Sequence, residues 1–138
     1  MIYKAILRNT TERLYKQNEY LKIVSDFYPV GTYIEEISET IDSLLDLSVS
    51  MLPWYLRASA ISRIKSTFGS VARVVHPKTL TVSEAWGLLN VIKDEIKSCA
   101  DVLADLRDYL APPEDREVLD NIVVKLNEIY MGLKEVTG

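Results

Sequence analysis

Apolar residues in this chain recur at steps of three and four over long stretches, and no segment shows two-residue apolar alternation bounded by turn residues. The period predicts an all-α protein. The clearest run is Ala85, Leu89, Ile92, Ile96, Cys99, Leu103, Leu106, Leu110, whose alternating steps of four and three make one continuous seam. Thr81 with Glu84 three residues later predicts a capping box at its start, and Pro112-Pro113 ends it. Pro113 then opens a further helix, with Glu114, Asp115 and Glu117 where the helix dipole favours carboxylates. Its seam reads Leu119, Ile122, Leu126, Ile129, Leu133, Val136. A connection as short as Ala111 to Glu114 must return the second helix along the first, as an antiparallel αα-hairpin.

Three helices are predicted before this hairpin. The first runs from about Ile2 to Phe27 along Tyr3, Leu7, Thr10, Leu14, Gln17, Leu21 and Val24, and Pro29-Val30-Gly31 ends it. A second capping box, Thr32 with Glu35, is predicted to open the next, with Ile34, Ile37, Ile41, Leu44, Leu45 and Met51 on its apolar side. The third spans about Pro53 to Val75, buries Ile61, Ile64, Phe68 and Val71, bends at Gly69 and ends near His76-Pro77. There is no repeat, low-complexity tract or long linker, so the expectation is one domain over residues 1–138, folded as a compact bundle of about five helices.

At 138 residues such a bundle buries roughly two-thirds of its unfolded surface without a metal or disulfide staple. Hydrophobic residues make up 48% and no run reaches the length of a membrane span, so a soluble, cytoplasmic protein without membrane partners is expected. Cys99 lies on an apolar stripe and reads as a small buried hydrophobe. Asn9-Thr10-Thr11 matches a glycosylation acceptor but falls inside a predicted helix. His76, the only histidine, sits at a helix end, where the dipole gives it a structural role.

Charge is distributed unevenly. The stretch Leu47 to Ser83 carries five Lys/Arg and no Asp or Glu, although even placement of the chain's twenty carboxylates would put about five there. One reading is a phosphate-binding face made of Arg57, Arg63, Lys65, Arg73 and Lys78. On a helical wheel Arg63 and Arg73 share the side turned away from Ile61, Ile64 and Phe68, beside Ser59, Ser62, Ser66 and Ser70. Tyr55 shares that position and is placed to stack on a base, whereas Arg57 falls on the apolar side. The other reading is internal or inter-subunit charge matching with the acidic stripe Glu35, Glu39, Asp42, Asp46.

Most catalytic chemistry lacks its residues here. With one His and one Cys, a metal site would rest on carboxylates, and there is no HExxH, glycine-rich phosphate loop or nucleophile elbow. Glu35-Glu36-Ile37-Ser38-Glu39 resembles the EExxE element of all-α nucleoside-triphosphate pyrophosphohydrolases, and Ala100-Asp101-Val102-Leu103 resembles the Asp half of their second element. The match implies a magnesium site, but Ser98 stands where that element needs a glutamate, and 61 residues separate Glu39 from Asp101. In length, helicity and the basic segment Arg57 to Lys78, the chain also resembles the small subunit of multi-subunit CRISPR effector complexes. That resemblance implies a non-catalytic, cofactor-free subunit holding a DNA or RNA backbone without reading sequence, with the five basic residues as contacts and the stripe Glu35 to Asp46 facing a neighbour. This is the function expected from the sequence. A protein-binding or virion-type structural bundle and the pyrophosphohydrolase are its alternatives.

Overall fold

The computed structural model describes residues 2–72 and 79–138, which form five helices: α1 (Ile2–Val24), α2 (Gly31–Ser48), α3 (Trp54–Ala72), α4 (Val82–Tyr109) and α5 (Pro113–Thr137). Among the described residues there is no strand, and no helix is long and apolar enough to cross a membrane. Helix α1 packs on α2 and α4, and α5 packs on the same two, so these four close a ring around the core. Polar cross-links fix the directions. Asn18 Nδ2 on α1 donates to Ser38 Oγ on α2 at 3.0 Å, while Lys4 near the start of α1 donates to the carbonyl of Leu47 near the end of α2. Lys97 reaches Asn127 at 3.1 Å and Arg107 reaches Asp120 at 2.6 Å, which sets α4 and α5 antiparallel, as the short Pro112-Pro113 connection requires. Arg13 meets Glu95 between α1 and α4, and Lys125 lies 3.9 Å from Glu36 between α5 and α2. Every neighbouring pair in the ring therefore runs antiparallel, the diagonal helices α2 and α4 point the same way, and α3 is the return connection between them. It packs on α1 and α2 alone.

The seams of α1, α4 and α5 are buried as their periodicity predicts. All seven predicted positions of α1 are inside, including Thr10, whose hydroxyl donates to its own helix at the Ile6 carbonyl, 2.8 Å away. Ala85 through Leu106 on α4 and Leu119 through Leu133 on α5 are buried against each other, and Val136 is half-buried. Cys99 is fully buried, and that burial pushes its thiol up to about 12, so it stays protonated and inert. The Thr81–Glu84 capping box forms with both bonds at 3.1 Å.

Several expectations are corrected. Helix α1 stops at Val24 instead of Phe27, because the amides of Phe27 and Tyr28 both turn back onto the Val24 carbonyl. The second capping box does not form. The carbonyl of Val30 accepts from Tyr33 and Ile34, so α2 begins at Gly31 and Thr32 lies inside it, two positions past the N-cap. Met51 and Leu110 lie past the ends of α2 and α4 and are exposed, since the periodicity continues on paper after the helix has stopped. On α3 only Ile64 and Phe68 are buried, Ile61 is half-buried, and Val71 faces solvent. The helix continues unbroken through Gly69, where an added Cβ would sit 3.4 Å from the Tyr15 hydroxyl. Val75, His76 and Pro77, expected at its end, lie outside the described residues, as do Arg73 and Lys78.

Candidate docking surface

The α2–α3 corner is closed by cations. A helix C-terminus leaves carbonyls without intrahelical partners, and the dipole makes that end attractive to positive charge. Arg57 Nε donates to the Leu52 carbonyl and its Nη2 to the Ser50 carbonyl, both at 3.0 Å, so one planar guanidinium fork ties down the turn. Lys4 adds its bond to Leu47 and a longer contact with Ser50 Oγ at 3.4 Å. Pro53 precedes α3, and its carbonyl accepts from the Leu56 amide at 2.9 Å, starting the helix. With the corner's polar groups turned inward on these cations, its large side chains are left outside: Trp54 is 80% exposed, Met51 73%, Tyr55 66% and Leu56 45%. The rings of Trp54 and Tyr55 meet edge to face, with centroids 5.9 Å apart.

Of the basic residues singled out in the sequence, Arg57 is thus engaged with backbone. Lys65 Nζ pairs with Asp42 Oδ1 at 2.5 Å, with side chains 41% and 54% exposed, so it meets the acidic stripe. Arg63 is exposed, and its guanidinium makes no ion pair or hydrogen bond among the described residues. Ser59, Ser62, Ser66 and Ser70 are exposed beside it, as the helical wheel predicts. Arg73 and Lys78 lie outside the described residues. The cations of α1 do not join Arg63 in one group: Lys4 caps α2, Arg13 holds Glu95 at 2.5 Å and Ser98 at 3.0 Å, and Lys16 shares a shallow depression with Glu12, Val71 and Ala72.

The two half-motifs of the pyrophosphohydrolase resemblance stand on α2 and α4, which lie diagonally across the ring. Asp101 pairs with Lys97 at 3.2 Å, and no group of three His, Cys, Asp or Glu side chains among the described residues could hold a metal.

A second exposed surface runs down α5. Val124, Glu128, Met131 and Glu135 recur at steps of four, three and four and share one outward side. They border an open depression with Asn127 and Gly132. Glu128 lies 3.4 Å from Lys125.

Sequence reasoning singled out only Tyr55 of the corner and passed over the α5 stripe. Their signals were present: Met51-Leu52-Pro53-Trp54-Tyr55-Leu56 places large apolar residues on consecutive positions around a proline, where no single helical face takes them all, and the α5 stripe is an apolar and acidic repeat offset from the buried seam. Comparison of the chain with protein-family models, curated proteins and solved structures finds no match.

Proposed function

We propose that this chain is a non-catalytic helical module that docks onto a protein partner within a larger assembly, through the apolar α2–α3 corner. The observation that carries this is the exposure of Trp54, Met51, Tyr55 and Leu56 on a corner whose backbone is held by Arg57 and Lys4. Contiguous exposed apolar surface is uncommon on a monomer, and aromatic residues together with Met are enriched at interface centres. A rigid corner loses little conformational freedom on binding, which favours affinity. Tagged chain recovered from the cells that make it is expected in complexes well above its own 15.7 kDa, and Trp54→Ser with Tyr55→Ser is expected to return it to that mass. Recovery of the double variant in undiminished complexes would remove the reading.

A second reading keeps the nucleic-acid backbone as ligand, and one observation favours it: the outward side of α3 presents Arg63 and four serines, and α3 contains no carboxylate. Guanidinium and hydroxyl groups are ordinary donors to phosphate, and Arg73 and Lys78 would extend the set. On this reading the chain would work as the small subunits of CRISPR effector complexes do. The engagement of Arg57 and Lys65 within the chain counts against it. Reversing Arg63 to Glu should weaken binding to all nucleic-acid sequences alike and flatten its salt dependence, and equal binding would exclude the reading.

A further inference from the structure

We propose that the protein partner is a second copy of this chain, bound head to tail: the α2–α3 corner of one copy seats on the outward stripe of α5 of the next. The inference rests on the docking reading above and names its occupant. Complementary charge is the first argument. The corner lies in the stretch 47–83, which has no carboxylate, and the cations that stand at it are Arg57 and Lys4, which keep their charge while they bond its carbonyls. The α5 stripe is apolar and acidic, with Val124 and Met131 about half exposed (50% and 52%) and Glu128 and Glu135 interleaved. Lys125 and Lys134 flank it, and Lys125 is drawn toward Glu36 and Glu128. An apolar knob among cations thus faces an apolar strip among carboxylates, which sets the register of docking.

Shape and placement agree. Gly132 helps to line the depression beside Met131, and the Tyr33 ring of α2 fills the place its Cβ would take. The corner stands at the end of the bundle where α1 begins, as the Lys4 contacts with Leu47 and Ser50 require, whereas the stripe occupies the second half of α5, toward the opposite end. The two surfaces do not overlap, so one copy can use both at once. Such a heterologous contact makes a ring or an open filament instead of a closed two-fold dimer. A two-fold contact between corners would set Arg57 and Lys4 of one copy against their counterparts, a like-charge arrangement.

Area permits the contact. At roughly 150–250 Å² per aromatic side chain, Trp54 and Tyr55 leave on the order of 300 Å² uncovered. Met51 and Leu56 extend this toward the apolar centre of an interface of about 800 Å² per side.

Sedimentation velocity of the purified chain tests the proposal. Wild type is expected to form species larger than a monomer as its concentration rises from about 1 to 500 µM. Trp54→Ser, which disables the corner, and Met131→Lys, which disables the stripe, are each expected to remain monomeric. Mixed in equal amounts, they are expected to form a dimer and stop there, because each retains the surface the other lacks. If circular dichroism shows either variant unfolded, Tyr55→Ser and Val124→Lys replace them. A monomeric wild type at every concentration would overturn the proposal, and so would a variant that assembles as wild type does. A mixture that stays monomeric while wild type assembles would overturn it in favour of a two-fold contact. A purified wild type that is monomeric, beside native complexes that still depend on Trp54, would point to a foreign partner and leave the docking reading standing.

Discussion

Gly132 on α5 lies against the ring of Tyr33 on α2, so closely that a Cβ built at position 132 would overlap the Tyr33 hydroxyl and ring carbons. Glycine inside a helix costs about 0.8–1 kcal/mol relative to alanine, so its presence here reflects the close approach of the two helices. Gly132→Ala should therefore destabilise the fold, since overpacking of about 1–3 kcal/mol exceeds the gain in helix propensity. In a Tyr33→Ala background the same change should stabilise. Chemical denaturation of the four proteins in that cycle checks the reversal of sign, and stabilisation by Gly132→Ala in both backgrounds would contradict the contact.

Tyr3 donates a hydrogen bond to Asp115 Oδ2 at 2.8 Å, and both residues are buried. Burial, followed by the hydrogen bond and the charge of Asp115, pushes the phenol above its ordinary value of 10.0. The folded state then holds a proton that the unfolded chain releases, so this stabilisation is complete below about pH 10 and is lost as pH rises further. Tyr3→Phe should cost about 1–3 kcal/mol near neutral pH by leaving Asp115 without its donor. The gap in melting temperature between variant and wild type should narrow between about pH 9 and 11, and a gap that widens there would contradict the sign.

Burial separates residues that share a chemical type. Leu103 and Leu126 are fully buried on the facing seams of α4 and α5, so truncation of either to alanine should cost ~2–5 kcal/mol. Leu56 lies at the exposed corner, and Leu56→Ala should change stability by about 0.5 kcal/mol or less while weakening assembly. Urea denaturation of the three variants distinguishes a packing role from a docking role.

The Lys65–Asp42 pair is partly exposed on both sides, so Asp42→Asn should change stability by less than ~1 kcal/mol. It would also free a cation on α3. If the phosphate-binding reading holds, Asp42→Asn should elute later than wild type from a heparin column, and Arg63→Glu earlier. Unchanged elution of both would leave α3 without a phosphate site.

The helices were legible wherever a seam is buried along its whole length. Ala85 to Leu106 and Leu119 to Leu133 carry a period that only a packed helix satisfies, and the Thr81–Glu84 pair names its own boundary because both bonds are local. Thr32 and Glu35 have the same spacing and fail, because the Val30 carbonyl starts α2 first. Helix α3 misled for a related reason. Its apolar residues satisfy the period, but it covers only α1 and α2, so Val71 faces solvent where a fully enclosed helix would bury it. The charge count showed where positive residues lie along the chain and not what they touch. Arg57 is spent on carbonyls whose exposure depends on where α2 stops, whereas Lys65 meets Asp42, a member of the acidic stripe that the charge pattern offers as the alternative partner. The exposed corner is missed because the periodicity puts Met51 on the apolar side of α2 and only Tyr55 outside, so that Trp54 and Leu56 show as exposed only once the helices around them are in place.

The most direct measurement is the size of the complexes formed by Trp54→Ser and by Arg63→Glu, each expressed in place of wild type in the cells that make the protein. Docking through the corner predicts that Trp54→Ser falls to the mass of the free chain while Arg63→Glu remains in its complexes. Loss with Arg63→Glu and retention with Trp54→Ser would contradict the account and return the function to the basic face of α3.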